Sequence, residues 1–217
     1  MKIKWNGHSS FTITASDGTV IVMDPYEPGG FGGGIKYGPV DDEAHVALVS
    51  HDHGDHNFVS TLKGKPAVLK KSGSAGGIEF TGVEAAHDDK GGSERGKNVM
   101  FVFTVDGVRL AHVGDLGHLL TKEQAAALGK VDVLLVPVGG FFTIDAATAS
   151  KVVEQVKPRV VIPMHYKTDK CGFPIAEVDE FAKLMTKVKK TGQTEIEITN
   201  DKLPPQGPEV WIMDHAR

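Results

Sequence analysis

Four apolar, β-rich runs in this chain each stop on a histidine or an aspartate. "HVALVS" (45–50) leads into His51, His53, Asp55 and His56, and "IEFTGVEAA" (78–86) leads into His87. "VRLAHVG" (108–114) ends at Asp115, and "RVVIPM" (159–164) at His165. Short continuous apolar runs of this kind suit strands buried on both faces. In layered α/β folds, ligand sites collect at one end of the strands, where loops converge. The chain is therefore constrained to an architecture that gathers these four strand ends on one edge.

The rest of the chain fits an α/β layering. "KIKW", "FTITA" and "TVIVMD" read as strands separated by Gly, Asp and Ser. Residues 27–39 hold six glycines and two prolines and read as a loop without helix. After residue 120 the period changes. Thr121 and Gln124 stand at capping-box spacing, which predicts a helix start. Ala149, Val152, Val153 and Val156 mark an amphipathic helix. Val178, Phe181, Ala182, Met185 and Val188 predict another over "AEVDEFAKLMTKVKK" (176–190), with "TEIEIT" and "EVWIM" as closing strands. No linker interrupts the pattern, so residues 1–217 are expected to form one α/β domain.

Composition removes several function classes. Lys and Arg total 24 against 28 Asp and Glu, a net charge of −4, which argues against a broad nucleic-acid face. No apolar run approaches the length of a membrane-spanning helix, and the N-terminus lacks the apolar core of a signal peptide. A cytoplasmic location is expected, with a small-molecule substrate and a homo-oligomer left open. Cys171 is the sole cysteine, so no internal disulfide and no multi-thiolate metal site can form.

The spacing within "HDHGDH" has a chemical reason. His51 and His53 are two apart and point the same way on extended backbone. Asp55 and His56 are adjacent, so they diverge and can serve a second centre. One segment can thus grip two ions about 3.5–4 Å apart. A single tetrahedral zinc needs four ligands. Here His51, His53, Asp55, His56, His87, Asp115 and His165 are candidates, which favours two divalent ions. Imidazole and carboxylate without sulfur suit zinc, manganese, iron or nickel. His112 lies three residues before Asp115 and is expected on the opposite face, as a packing or surface residue; His45 and His215 read as structural. Arg95 and Lys97 in "SERGKN" and Lys167 after "MHY" flank the motif positions and are expected at the mouth of the site. There they would hold an anionic substrate, Arg by bidentate capture.

"HDHGDH" resembles the H-x-H-x-D-H motif of the metallo-β-lactamase superfamily. His87, Asp115 in "GDLGH" and His165 in "PMHY" are similar to its remaining metal positions, in the same order. "WNGHSSF", "VIVMDP", "ERGKN", "HVGDLGH", "VPVGGFFT" and "IPMHYKT" resemble the branch related to ascorbate-6-phosphate lactonase. The resemblance implies an αβ/βα four-layer sandwich with the site at one edge. It implies that His51, His53 and His87 hold a first metal, that Asp55, His56 and His165 hold a second, and that Asp115 bridges them. Asp24 in "MDP" would accept a hydrogen bond from a ligand and orient it. His8 and His118 would lie close to the site, His8 toward the substrate and His118, with Asp55, in a catalytic role.

The implied activity is metal-dependent hydrolysis of a small anionic ester or lactone, a sugar-phosphate lactone among them. A flavodiiron-type oxidoreductase would need a flavin domain, for which 217 residues leave no room, or a separate flavoprotein partner. A nuclease or phosphodiesterase of the superfamily would carry a clamp domain or basic arm. A non-enzymatic metal-binding protein is disfavoured by the complete ligand set.

Overall fold

The computed structural model describes all 217 residues. The first sheet contains β1 (Lys2–Gly7), β2 (Ser10–Thr14), β3 (Val20–Met23), β4 (Val46–Leu48) and β5 (Ala67–Leu69). The second begins with β6 (Gly73–Ala75), β7 (Ile78–Ala86), β8 (Lys97–Val105) and β9 (Val108–His112). It continues with β10 (Val133–Pro137), β11 (Val160–Met164) and β12 (Val188–Lys190). Finally β13 (Glu195–Glu197) joins the first sheet and β14 (Glu209–Ile212) the second. The strand orders are β13-β1-β2-β3-β4-β5 and β12-β14-β11-β10-β9-β8-β7-β6. Both sheets are mixed: β1 to β3 and β6 to β9 pair antiparallel, whereas β3 to β5 and β9-β10-β11-β14-β12 pair parallel.

These directions position the site. β1 runs with β3 and β4, and β7 runs with β9 and β11, so the C-terminal ends of each set share one edge. Between the sheets lies the main core. Alternate residues of the first sheet, Ile3, Trp5, Phe11, Ile13, Ile21 and Met23, face inward. β10 and β11 are buried at every position, as parallel strands covered on both faces should be.

The helices are α1 (Gly30–Gly33), α2 (Lys122–Leu128), α3 (Ala146–Val156) and α4 (Val178–Ala182). α2 begins on the expected capping box between Thr121 and Gln124. α3 is capped by Asp145, whose carboxylate accepts from the Thr148 N–H, and buries Ala149, Val152 and Val153. α2 packs on β7 and α3 on β10, which covers the second sheet.

One expectation needs correction. The helix predicted over 176–190 stops at Ala182, and Val188 enters β12, parallel to β14. Pairing with the sheet edge satisfies the backbone there and outweighs the helical periodicity. The glycine-rich stretch forms α1, a single turn with Phe31 and Gly32 left-handed, which in conformation is a loop. The outer face of the first sheet carries a second cluster of Val22, Tyr26, Ile35, Tyr37, Val40, Ala44, Cys171 and Ile175, drawn largely from the 24–45 and 166–177 connections.

Candidate metal centre

The strand ends deliver their polar groups to one cavity of about 300 Å³. Its lining includes His53, Asp55, His87, Asp115 and His165, with Glu94, Arg95, Phe31, Phe142 and Phe173 around them. Two groups of donor atoms converge: His51, His53 and His87, and beside them His8, Asp55, His56 and His165. Asp115 lies between them. Its Oδ2 is 3.2 Å from His56 Nε2, 3.2 Å from His87 Nε2 and 3.3 Å from His165 Nε2.

Hydrogen bonds on the far side of the rings set which nitrogen faces inward. Asp24 accepts from the Ser50 N–H at 2.7 Å and the Ser50 hydroxyl at 2.6 Å. Its carboxylate also lies 2.9 Å from His56 Nδ1. His56 therefore donates through Nδ1 and presents Nε2 to the cluster. Ser50 Oγ, already donating to Asp24, accepts from His51 Nδ1 at 2.9 Å, which leaves His51 Nε2 facing inward. Behind Asp115, its own N–H donates to Asn98 Oδ1 at 3.1 Å, and Asn98 Nδ2 donates to the Val113 carbonyl. Hydrogen bonds of this kind fix the orientation of metal-binding side chains.

The electrostatics follow from burial and pairing. Burial, helped by nearby His56, pushes His51 down to about 3, and burial with His165 pushes His8 down to about 4. Burial also lowers His53. His56 goes the other way: burial opposes its charge, but Asp115 and Asp55 outweigh that and raise it well above the usual imidazole range. Asp115 and Asp55 are held well below the carboxylate range against burial, Asp115 by His165 and His56, Asp55 by His56 and His8.

Backbone strain is concentrated here. Of the eight non-glycine residues with positive φ, His8, Asp24 and His165 belong to the cluster, and Phe31 and Phe141 stand at its rim. Such conformations cost of order 1–3 kcal/mol each and persist where the surroundings over-determine them.

All seven residues of the expected metal set come together, and Asp24 sits behind His56. Other placements differ from the sequence reading. His8 is fully buried, with Nε2 3.2 Å from Asp55 Oδ2, so it lies beneath the cluster and out of reach of a substrate. His118 is not brought to the cluster. Its Nε2 accepts from the Ala86 N–H and its Nδ1 donates to the Leu119 carbonyl, so both nitrogens are engaged on the neighbouring surface. Lys167 donates to the Phe173 carbonyl at 2.8 Å and braces that loop without lining the cavity. Arg95 does line the cavity, while Lys97 lies in an adjoining groove that shares Arg95 and His53. His112 is buried, because β9 ends at His112 and the chain turns before Asp115. Its Nε2 donates to the Ser9 carbonyl, its Nδ1 accepts from the Gly114 N–H, and it lies 3.9 Å from Asp24.

Asp88 escaped the sequence reading. Its carboxylate accepts four backbone N–H groups, from Lys90, Gly92, Glu94 and Arg95, at 2.8–3.0 Å. These bonds, the Arg95 amide foremost, hold its carboxyl pKa well below the usual carboxylate range. They curl the 88–96 loop so that Glu94 and Arg95 reach the cavity. "HDDKGGSERG" carries a signal for this, an Asp ahead of paired glycines, but the signal is common to many turns.

A two-sheet sandwich with such a cluster at its edge is the metallo-β-lactamase fold. A crystal structure from Thermotoga maritima, assigned to the Zn-dependent hydrolases of the metallo-beta-lactamase superfamily, matches with a TM-score of 0.80 and 34% identity, over 99% of each chain. The family profile of the beta-lactamase superfamily domain matches residues 2–165. A UPF0173 metal-dependent hydrolase of Archaeoglobus fulgidus is 32% identical, over 82% of this chain and 87% of its own length. One from Carboxydothermus hydrogenoformans is 33% identical over 83% and 90%. The chain belongs to the UPF0173 metal-dependent hydrolase family of this superfamily.

Proposed function

We propose that the chain hydrolyses a small anionic ester or lactone with two divalent ions held by the histidine–aspartate cluster. The observation that carries this reading is Asp115 Oδ2 lying 3.2–3.3 Å from three imidazole nitrogens that belong to two donor groups. Ligand atoms on a tetrahedral ion with bonds of about 2.0–2.1 Å stand roughly 3.4 Å apart, so this spacing suits shared coordination. His56 Nε2 is buried and makes no well-directed hydrogen bond, which is costly unless another partner occupies that position. The residues therefore fit the group. His51, His53 and His87 would hold one ion, and Asp55, His56 and His165 the other, with His8 beside this second set. Asp115 would serve both. Nitrogen and oxygen donors suit zinc, manganese, iron or nickel.

The two ions supply acidification of a water molecule and polarisation of the scissile carbonyl. The remaining work belongs to side chains. Asp24 and Ser50 fix the imidazoles. His8, neutral at physiological pH, donates to Asp55 and holds its carboxylate toward the cavity. Arg95 offers a guanidinium at the mouth: Glu94 pairs with Lys90, and Arg95 makes no ion pair of its own. An anionic substrate group would bind there, with Lys97 lending charge from the adjoining groove. The lactonase-related branch is supported by the motifs around His8, Asp115 and His165.

The test combines composition and kinetics. Protein purified without chelator should carry close to two metals per chain by elemental analysis. A phosphorylated lactone should be preferred over its unphosphorylated form, and the preference should shrink in Arg95→Ala. An ordered protein that binds no metal would overturn the metal assignment. A preference that survives Arg95→Ala would overturn the anion role.

A further inference from the structure

Phe31 and Phe141 are both large, apolar and in left-handed backbone conformation, at φ 54° and 64°. Both are also mostly in solvent, 56% and 63% exposed. A strained backbone under a core residue is offset by burial, but neither residue has that compensation. Both stand at the mouth of the metal cavity. Phe31 lines it directly, together with Phe142 and Phe173; Phe141 packs edge-on against Phe142 with ring centroids 4.7 Å apart. Phe173 joins the two sides, 5.6 Å from both the Phe31 ring and the Phe142 ring, each edge-on.

The glycines around Phe31 serve this placement. A Cβ on Gly34 would stand 2.7 Å from the Phe173 ring, and one on Gly172 would stand 3.0 Å from Gly34 Cα. Only bare backbone lets the 29–34 loop and the 172–173 loop lie against each other with Phe173 between them. Phe31 is thereby set over Gly54, inside "HDHGDH", with its ring 3.7 Å from where a Cβ would be. Across the mouth, the Arg95 guanidinium lies 5.9 Å from the Phe142 ring centre.

The cavity thus has three distinct surfaces: a histidine–aspartate floor, an aromatic wall and one guanidinium next to that wall. We infer that the substrate carries a flat apolar group, of phenyl size or similar, placed against Phe31, Phe142 and Phe173, in addition to the anionic group taken by Arg95. This rests on the hydrolase reading and narrows it toward aryl-bearing acids and away from polyhydroxylated sugar phosphates. A wall of edge-presenting rings suits a π-face, whereas hydroxyl groups placed there would lose their water with no acceptor in return.

The test is direct binding of two carboxylates, propanoate and 3-phenylpropanoate, to the metal-loaded full chain by calorimetry. The phenyl group should tighten binding at least about tenfold in wild type. In Phe31→Ala, whose side chain is exposed, the gain should fall to about threefold or less, with propanoate affinity and metal content unchanged. Phe142→Leu, which keeps apolar bulk but loses the ring, should also reduce it. Arg95→Ala should weaken both probes alike. A phenyl gain below about twofold, a gain that persists in Phe31→Ala, or no binding of either probe overturns the inference. Methyl esters of the same acids separate the two readings. Turnover of both esters without preference leaves the hydrolase and removes the aromatic subsite. A phenyl-dependent binding gain with neither ester hydrolysed, under conditions of full metal loading, keeps the subsite and counts against ester hydrolysis.

Discussion

The floor and the rim of the cavity are built on opposite principles. The floor hangs from six parallel-running strand ends, and its donors, all buried except His53, are cross-braced by Asp24, Ser50 and Asn98. The rim consists of loops, the glycine-rich 29–34 turn, the 88–96 loop and the 141–142 and 172–173 segments, and it leaves Phe31 and Phe141 exposed with Phe142 and Phe173 half-buried. A metal centre tolerates little displacement of its ligands, so rigid sheet backbone suits it. Recognition of a particular substrate belongs on loops, which can change without disturbing the sheets. Damage to the floor should therefore abolish metal binding, and damage to the rim should alter only what is bound.

The largest effect is expected from Asp115→Asn. Loss of the shared carboxylate should cut metal content below that of wild type and reduce hydrolysis by more than about 100-fold; full metal content by elemental analysis would contradict its place between the two donor groups. Asp24→Ala comes next. It touches no cavity atom, yet it should lower metal affinity roughly 10- to 100-fold by freeing His56 and Ser50. Chelator competition measures this, and an unchanged affinity would mean that the imidazoles hold themselves.

A third effect is on pH. In the metal-free protein His56 keeps a proton well above the ordinary imidazole range because Asp115 and Asp55 surround it. The stability from that ionic cluster is present below about pH 6.5 and is lost as pH rises through the raised folded value. Metal binding must expel the proton. Affinity should accordingly rise about tenfold per pH unit per proton released, up to the raised value. Calorimetry in buffers of different ionisation enthalpy should detect the release, and zero net release at pH 7 would contradict it.

The rim gives smaller changes. Asp88→Ala removes the acceptor of four backbone amides and should loosen Arg95, raising KM several-fold, roughly 3- to 10-fold, for an anionic substrate with metal content intact. A fall in metal content instead would place Asp88 with the floor. Thr121→Ala, far from both regions, should cost about 1 kcal/mol of stability through the lost cap of α2 and leave kinetics unchanged. Thermal unfolding with parallel kinetics would check both halves of that statement.

Much of the floor was legible in advance, because strand-like apolar runs and the residues that follow them are adjacent in sequence. β7 spans residues 78–86 as expected, α2 starts on its predicted cap, and seven polar residues at four strand ends meet. The rim was legible only in part. Arg95 was expected at the mouth and lines it, whereas Lys167 was expected there and braces a loop. The difference lies in how each side chain leaves its loop, which sequence proximity to a ligand does not specify. His118 misled for the same reason: it lies in the loop beyond β9, where the path of the chain sets the direction of the side chain.

By itself the sequence determined the kind of site and the edge on which it forms, since hydrophobic periodicity dictates strands and the polar residues at their ends have nowhere else to go. Tertiary structure alone decided that residues 183–190 leave helical periodicity for the sheet edge, where open backbone groups offered pairing. It decided that His8 lies under Asp55, because the turn after β1 carries it beneath the cluster. It also brought Phe31, Phe142 and Phe173 together from three loops, each more than thirty residues from the others in sequence. Contacts between distant loops depend on the sheets that carry them, and no local pattern in the chain encodes that geometry.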